Sequence, residues 1–210
     1  MNKIKVGILG ATGMVGQNYL RLLQNHPWFE VVDLGASSNS AGKTYSEVVS
    51  EKWLMDEEIP EKYENYIVRD VQNFDDIPTD VQLFFSALDL ENKESTRNFE
   101  FSYAEKGYAV VSNSSANRWT DDVPMIIPEI NPHHAEIISS QQLNKNLPKT
   151  GFVAVKPNCS IQSYLIGLVA LQKVGFSVKD VQVTTLQALS GAGAKGITNP
   201  NWRENVIPFI

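Results

Sequence analysis

The sequence predicts an α/β protein, a doubly wound parallel sheet followed by the start of an α+β domain. Three features of the 210-residue chain predict it. Short β-branched and aliphatic runs alternate with helical spacing through residue 112, the pattern of a parallel sheet covered on both faces. A glycine-rich turn joins the first run to the first helix. The character then changes near residue 130, where Pro124 and Pro128 flank a short apolar stretch and Asn131-Pro132 follows.

The elements come in order. Residues 4–9 are an apolar run of the buried-strand kind. After the turn at 10–16, Met14, Val15, Tyr19, Leu22 and Leu23 recur at helical spacing until His26-Pro27 stops the helix. Residues 29–34 read as a second strand. The stretch 35–45 is a loop rich in Ser, Gly and Asn, and 52–62 is charged and less regular. Strands are expected at 66–68, 81–85 and 108–112, with a helix over 91–106. These elements make up a first, nucleotide-binding domain over 1–130. A second domain over 131–210 begins with a helix at 133–142. It continues with a strand at 151–155, a helix at 160–174 and a long strand at 178–188. The sequence shows no internal repeat and no low-complexity tract. It stops on the apolar stretch 205–210 without a cap or polar tail, which reads as an interruption in a longer protein.

Composition narrows the function classes. The chain is 42% apolar and 20% charged, enough for a real core. A net charge of −6 disfavours nucleic acid and anionic membrane as general partners. Small anions stay possible, because a local Arg or a helix N-terminus binds them against the global sign. No apolar run reaches membrane-spanning length, and the start of the chain enters a strand without a signal-peptide pattern. A single cysteine forms no internal disulfide, so a cytoplasmic compartment is expected.

The turn reads Gly10-Ala11-Thr12-Gly13-Met14-Val15-Gly16, a G-x-x-G-x-x-G variant of the dinucleotide fingerprint. A tight strand-to-helix turn wants backbone angles that a Cβ disfavours. Close approach of a pyrophosphate excludes side chains, and the helix N-terminus offers unpaired N–H groups to it. Gly16 is expected to let the helix pack closely on the strand. The glycines therefore point to a nucleotide in a Rossmann-like domain. NAD sites usually carry an acid at the end of the second strand. Here Ser37 and Ser38 stand there with Lys43 beyond, while Asp33 lies inside the strand, too early to serve. Hydroxyls and a cation suit a 2′-phosphate, so NADP is the expected cofactor.

Cys159 is the one thiol. A lone cysteine is either a small buried hydrophobe or a reactive group. Its context, Pro157-Asn158-Cys159-Ser160, places it at a strand-to-helix junction, where the partial positive charge of a helix N-terminus favours a thiolate. Such a thiolate attacks carbonyl carbon. A second small-residue cluster, Gln187-Ala188-Leu189-Ser190-Gly191-Ala192-Gly193, permits close approach of a flat ring or a phosphate, or is simply a flexible loop. His133-His134 has no acid or cysteine at ligand spacing beside it, and no metal is expected.

The glycine turn at 10–16, Ser112-Asn113-Ser114-Ser115 with Arg118, Pro157-Asn158-Cys159-Ser160 and the cluster at 187–193 together resemble aspartate-semialdehyde dehydrogenase, and more closely its archaeal and fungal branch. The resemblance runs over essentially the whole chain, in order. It implies a second domain for catalysis and dimerisation, and interconversion of L-aspartate 4-semialdehyde with 4-aspartyl phosphate, using phosphate and NADP, on the route to lysine, threonine and methionine. It implies Cys159 as nucleophile and carrier of the acyl thioester, with Asn158 shaping the acyl site and Gln187 orienting the intermediate. Arg118 and Asn113 would hold phosphate. Gly10, Thr12, Gly13, Met14, Val15, Gly16, Ser37 and Ser38 would contact NADP, and Ser190, Gly191, Ala192 and Gly193 would face its nicotinamide side. A homodimer or homotetramer is implied as well.

The family's general acid/base histidine matches none of His26, His133 and His134. Two other readings stay open. One is a malonyl-CoA or succinyl-CoA reductase on the same scaffold, which Asn158 beside Cys159 disfavours. The other is a non-catalytic nucleotide-binding fragment in which Cys159 is structural.

Overall fold

The computed structural model describes residues 2–202, the side chain of Lys195 excepted. The expected apolar stop at 205–210 lies outside the described residues. Strand β1 (Ile4–Leu9) enters the glycine turn, which leads into helix α1 (Met14–Leu23). Strand β2 (Phe29–Ala36) follows, then the short helices α2 (Tyr45–Val49) and α3 (Glu61–Glu64) and a two-residue strand β3 (Arg69–Asp70). Strand β4 (Leu83–Ser86), helix α4 (Lys93–Glu105) and strand β5 (Ala109–Ser112) come next. A 3-10 turn at Pro132–Ile137 leads into helix α5 (Ile138–Asn144), and strand β6 (Phe152–Val155) closes the series.

The six strands form one sheet in the order β3-β2-β1-β4-β5-β6, every pair parallel. Alternation along β1 sends Val6 and Ile8 to one face and Leu9 to the other. Leu20 of α1, Tyr45 and Val49 of α2 and Tyr63 of α3 pack on the first face. Phe101, Tyr103 and Ala104 of α4 pack on the second, with Phe84, Val110 and Val153. The chain reverses direction across the sheet between β1 and β4, and in such sheets ligands bind beyond the carboxyl ends of the strands at that switch point.

The domain boundary differs from the expected one at residue 130. Strand β6 lies beyond it in sequence yet hydrogen-bonds in register along β5, from Ala109 opposite Phe152 to Ser112 opposite Val155. The buried side chain of Gln141 secures that edge, donating to the Val153 carbonyl (3.0 Å) and accepting from its N–H (2.8 Å). The first compact unit accordingly runs to Asn158, and a second begins at Cys159.

In the second unit, helix α6 (Cys159–Lys173) is followed by a 3-10 turn at Leu189–Ala192 and helix α7 (Gly193–Thr198). The long strand expected at 178–188 is not formed among the described residues. A strand exists only where another segment takes its N–H and C=O groups, and none of the described residues pairs with this stretch.

Candidate active site

In the first unit the expected site residues follow the carboxyl ends of β1, β2, β5 and β6, so parallel pairing brings them to one edge of the sheet. Gly10 adopts φ +81°, and a Cβ there would stand 2.8 Å from the Ala87 carbonyl oxygen, across the switch point. A Cβ on Gly16 would stand 2.2 Å from the Gly10 oxygen and 2.6 Å from Ala11 Cα, so α1 sits on the turn as closely as the sequence implied. Gly13 is different. Its Cβ would meet only the Gly10 oxygen, at an ordinary 3.5 Å. It is exposed, it begins α1 without a side-chain cap, and no acid stands in the first turn. Among the described residues nothing but the Gly10 oxygen stands by the missing side chain of Gly13, and α1 starts without a side-chain cap, which fits a phosphate group. The turn's carbonyls are held from behind. Tyr45 donates to the Ala11 oxygen (2.9 Å) and Gln17 to the Thr12 oxygen (3.1 Å).

Within β2, Asp33 is buried and both its oxygens are taken by Arg69, at 2.8 and 2.7 Å. Burial by itself would lower the arginine's pKa, but the bonds and charge of Asp33 outweigh it and raise it. The carboxylate is thereby committed inside the sheet and is not free to accept from a ribose. Ser37 and Ser38 follow the strand end exposed, as does Lys43.

Beyond β5, Arg118 is half-buried rather than free in solvent. Its Nη2 donates to the Asn113 carbonyl (3.3 Å) and its Nε to the Lys156 carbonyl after β6 (3.1 Å). The structure thus sets Arg118 against the Asn113 backbone, and adds Lys156, which the residue pattern does not mark. Asn158 is exposed at the end of the first unit.

In the second unit, Cys159 is the first residue of α6 and is exposed. The Gln187 side chain lies against Gly191 so closely that a Cβ there would be 1.9 Å from its amide nitrogen. The cluster forms a turn leading into α7, with Ser190, Gly191 and Ala192 exposed and Gly193 at φ +70°. None of the three histidines stands in a catalytic setting. His26 Nδ1 accepts from the N–H groups of Trp28 and Phe29, His134 Nδ1 bonds to the Met125 backbone, and His133 is exposed. Among the described residues no group of three or more His, Cys, Asp or Glu could hold a metal ion, and no helix is long and apolar enough to cross a membrane.

A doubly wound sheet with an uncapped, glycine-lined helix start at its switch point defines a dinucleotide-binding protein of the Rossmann type. The model of the semialdehyde dehydrogenase NAD-binding domain matches residues 5–138, and the chain belongs to that family. It is 39% identical over 210 residues to an aspartate-semialdehyde dehydrogenase of Archaeoglobus fulgidus, covering 99% of this chain and 57% of that one. It is 36% identical over 206 residues to a malonyl-CoA reductase (NADP) of Metallosphaera sedula, covering 98% of this chain and 55% of that one. A crystal structure of aspartate-semialdehyde dehydrogenase with NADP from Candida albicans superposes with a TM-score of 0.70 at 35% identity, over 83% of this chain and 48% of that one. The chain therefore spans little more than half the length of the curated relatives it matches.

Proposed function

We propose that this chain forms the cofactor-binding and thiol-bearing part of an NADP-dependent, phosphate-requiring enzyme interconverting L-aspartate 4-semialdehyde and 4-aspartyl phosphate. The observation that carries the reading is the anion-binding edge of the sheet. There an uncapped helix start, two serines beyond a committed acid and a braced arginine follow the carboxyl ends of β1, β2 and β5. The likeness to aspartate-semialdehyde dehydrogenases over nearly the whole chain supplies the substrate.

Gly10, Thr12, Gly13, Met14, Val15 and Gly16 bind the pyrophosphate, and Ser37 and Ser38 the 2′-phosphate. Ser190, Gly191, Ala192 and Gly193 meet the nicotinamide side. NADP held there would, when bound, supply the hydride acceptor for the aldehyde carbon. Cys159 attacks that carbon as thiolate and afterwards holds the acyl group as a thioester, shaped by Asn158 and oriented by Gln187. Phosphate held by Arg118 and Asn113 attacks the acyl carbon, the C–S bond breaks, and the thiolate returns. The active form is a homodimer or homotetramer.

A second reading is a malonyl-CoA reductase, supported by the likeness to the Metallosphaera enzyme. NADPH formation from aspartate semialdehyde, with and without phosphate, on the full-length protein separates the two. Phosphate-dependent turnover is expected, and Cys159→Ser abolishes it while NADP still binds. Turnover with CoA and none with phosphate would overturn the first reading. An inert Cys159 in folded protein that binds NADP would leave only a nucleotide-binding role.

A further inference from the structure

Glu100 of α4 is fully buried, and the roles assigned above do not use it. Its Oε1 accepts from Ser86 Oγ (2.7 Å) and Ser112 Oγ (2.5 Å), and its Oε2 from Asn117 Nδ2 (2.8 Å). Ser86 and Ser112 are the last residues of β4 and β5 and face each other in register. Asn117 is itself buried and directly precedes Arg118. Ser112 and Asn117 therefore lie at the root of one loop, 113–118, and within it, and Ser86 borders that root across the strand pair.

The rest of that loop is tied to the same neighbours. Ser112 Oγ accepts from the Ser114 N–H (3.0 Å), and the Ser86 carbonyl accepts from the Asn113 N–H (2.9 Å). One turn before Glu100 on α4, Arg97 donates to the Ala116 carbonyl through Nε (3.3 Å) and Nη2 (3.0 Å). Thus α4 grips the loop at Ser112, Ala116 and Asn117, on either side of the segment that sets Asn113 against Arg118. An apolar residue at position 100 would fill such a site without the desolvation that a carboxylate incurs. The carboxylate gives three fixed acceptor directions, which an apolar side chain lacks.

We propose that Glu100 is a positioning residue for phosphate: by fixing Ser112 and Asn117 it holds Asn113 and Arg118 at the separation that phosphate needs, without touching substrate. The inference rests on the phosphate role of Arg118 and Asn113 under the proposed function. Glu100→Gln tests it in the full-length enzyme, because the amide keeps the shape but replaces one acceptor with a donor facing a donor. The KM for phosphate is expected to rise about tenfold to a hundredfold, as for a small displacement of a binding group. The KM for NADP should stay within about twofold, since among the described residues no hydrogen bond joins the cofactor turn to Glu100, Ser112 or Asn117, and only Ser86 borders it, through Ala87 beside Gly10. If Glu100→Gln does not fold, Asn117→Ser, which leaves the carboxylate its two serine donors, is expected to give the same split. A folded variant with an unchanged phosphate KM overturns the inference, and so do equal rises in both KM values, which would mark a merely structural residue. Wild-type turnover that ignores phosphate, run in the same assay, would instead overturn the proposed function and this inference with it.

Discussion

Gly13 and Gly16 stand three residues apart in one turn, yet the structure assigns their missing side chains to different causes, and alanine at each separates them. At Gly16 a methyl would sit 2.2, 2.6 and 2.7 Å from the Gly10 oxygen, Ala11 Cα and Ala11 carbonyl carbon. All are backbone atoms that cannot rotate away, so α1 must move by about 1 Å to restore van der Waals contact. Overpacking of this kind costs about 1–3 kcal/mol, here toward the upper end, and the better helix propensity of alanine returns about 1. A net loss of about 2 kcal/mol lowers Tm by about 4–8 °C in a chain of this size. At Gly13 the methyl is 3.5 Å from its nearest neighbour, and φ −78°, ψ 164° suits alanine. The stability cost is limited to the poorer N-cap, about 1 kcal/mol or less. The methyl instead occupies the space left for the pyrophosphate, so NADP affinity should drop about tenfold or more. Thermal unfolding and NADPH fluorescence titration on both variants make the comparison. The reasoning fails if Gly13→Ala binds NADP like the wild type, or if Gly16→Ala melts at the wild-type temperature.

Two further outcomes follow from the buried charges. Asp33→Asn leaves Arg69 half-paired in the sheet. That should cost about 3–5 kcal/mol and lower Tm by about 10 °C, with NADP affinity of the folded protein little changed; weakened NADP binding at an unchanged Tm would contradict the structural role given to Asp33. Glu100 is held above the usual carboxylate range by burial, which outweighs its bonds from Ser112, Ser86 and Asn117. The folded state then binds its proton more tightly than the unfolded state does. Its contribution to stability is complete below about pH 4.5, the ordinary glutamate value, and is lost as pH rises through the raised folded value. Melting temperatures across that window should therefore fall for the wild type relative to Glu100→Gln, and a relative rise would refute the assignment.

Much of the sheet was legible because buried parallel strands write themselves as β-branched runs. Residues 4–9 carried β1 without error, and Phe84, Val110 and Val153 sit in the core where the apolar runs put them. The third strand was misplaced at 66–68. Its pairing residues are Arg69 and Asp70, charged side chains that no hydrophobic pattern marks. Arg69 is accommodated because Asp33 waits on the neighbouring strand and the Asp70 and Asn73 carbonyls accept from its Nη1. Helix α2 carried a readable signal that went unused, the Thr44–Glu47 capping box, in which each side chain meets the other's backbone N–H. The place of β6 was hidden for another reason. Local sequence shows that 151–155 prefers to be a strand, but pairing with β5 is a property of the folded whole. The same holds in reverse at 178–188, where the preference is present and a partner among the described residues is not. In the proposed site, the Gly10–Gly16 turn stands out by residue type and Arg118 only through the family resemblance, whereas Glu100 looks in sequence like any acid on a solvated helix face. Its partners lie 12, 14 and 17 residues away, and only the fold makes them one cluster.

The two anion sites proposed at the sheet edge are built by different means, and the difference has a consequence. The cofactor turn is fixed by backbone packing, by Gly16 against the Gly10 oxygen and by Tyr45 and Gln17 holding its carbonyls from the α1–α2 face. The loop carrying Asn113 and Arg118 is fixed by polar side chains from α4 on the opposite face. Helix α4 gives the turn none of these supports, and α1 and α2 give the loop none. Changes in α4 can thus retune phosphate recognition while dinucleotide binding persists. A family that keeps one cofactor site while exchanging phosphate for another acyl acceptor would be expected to vary first on that face, in α4 and the loop it holds.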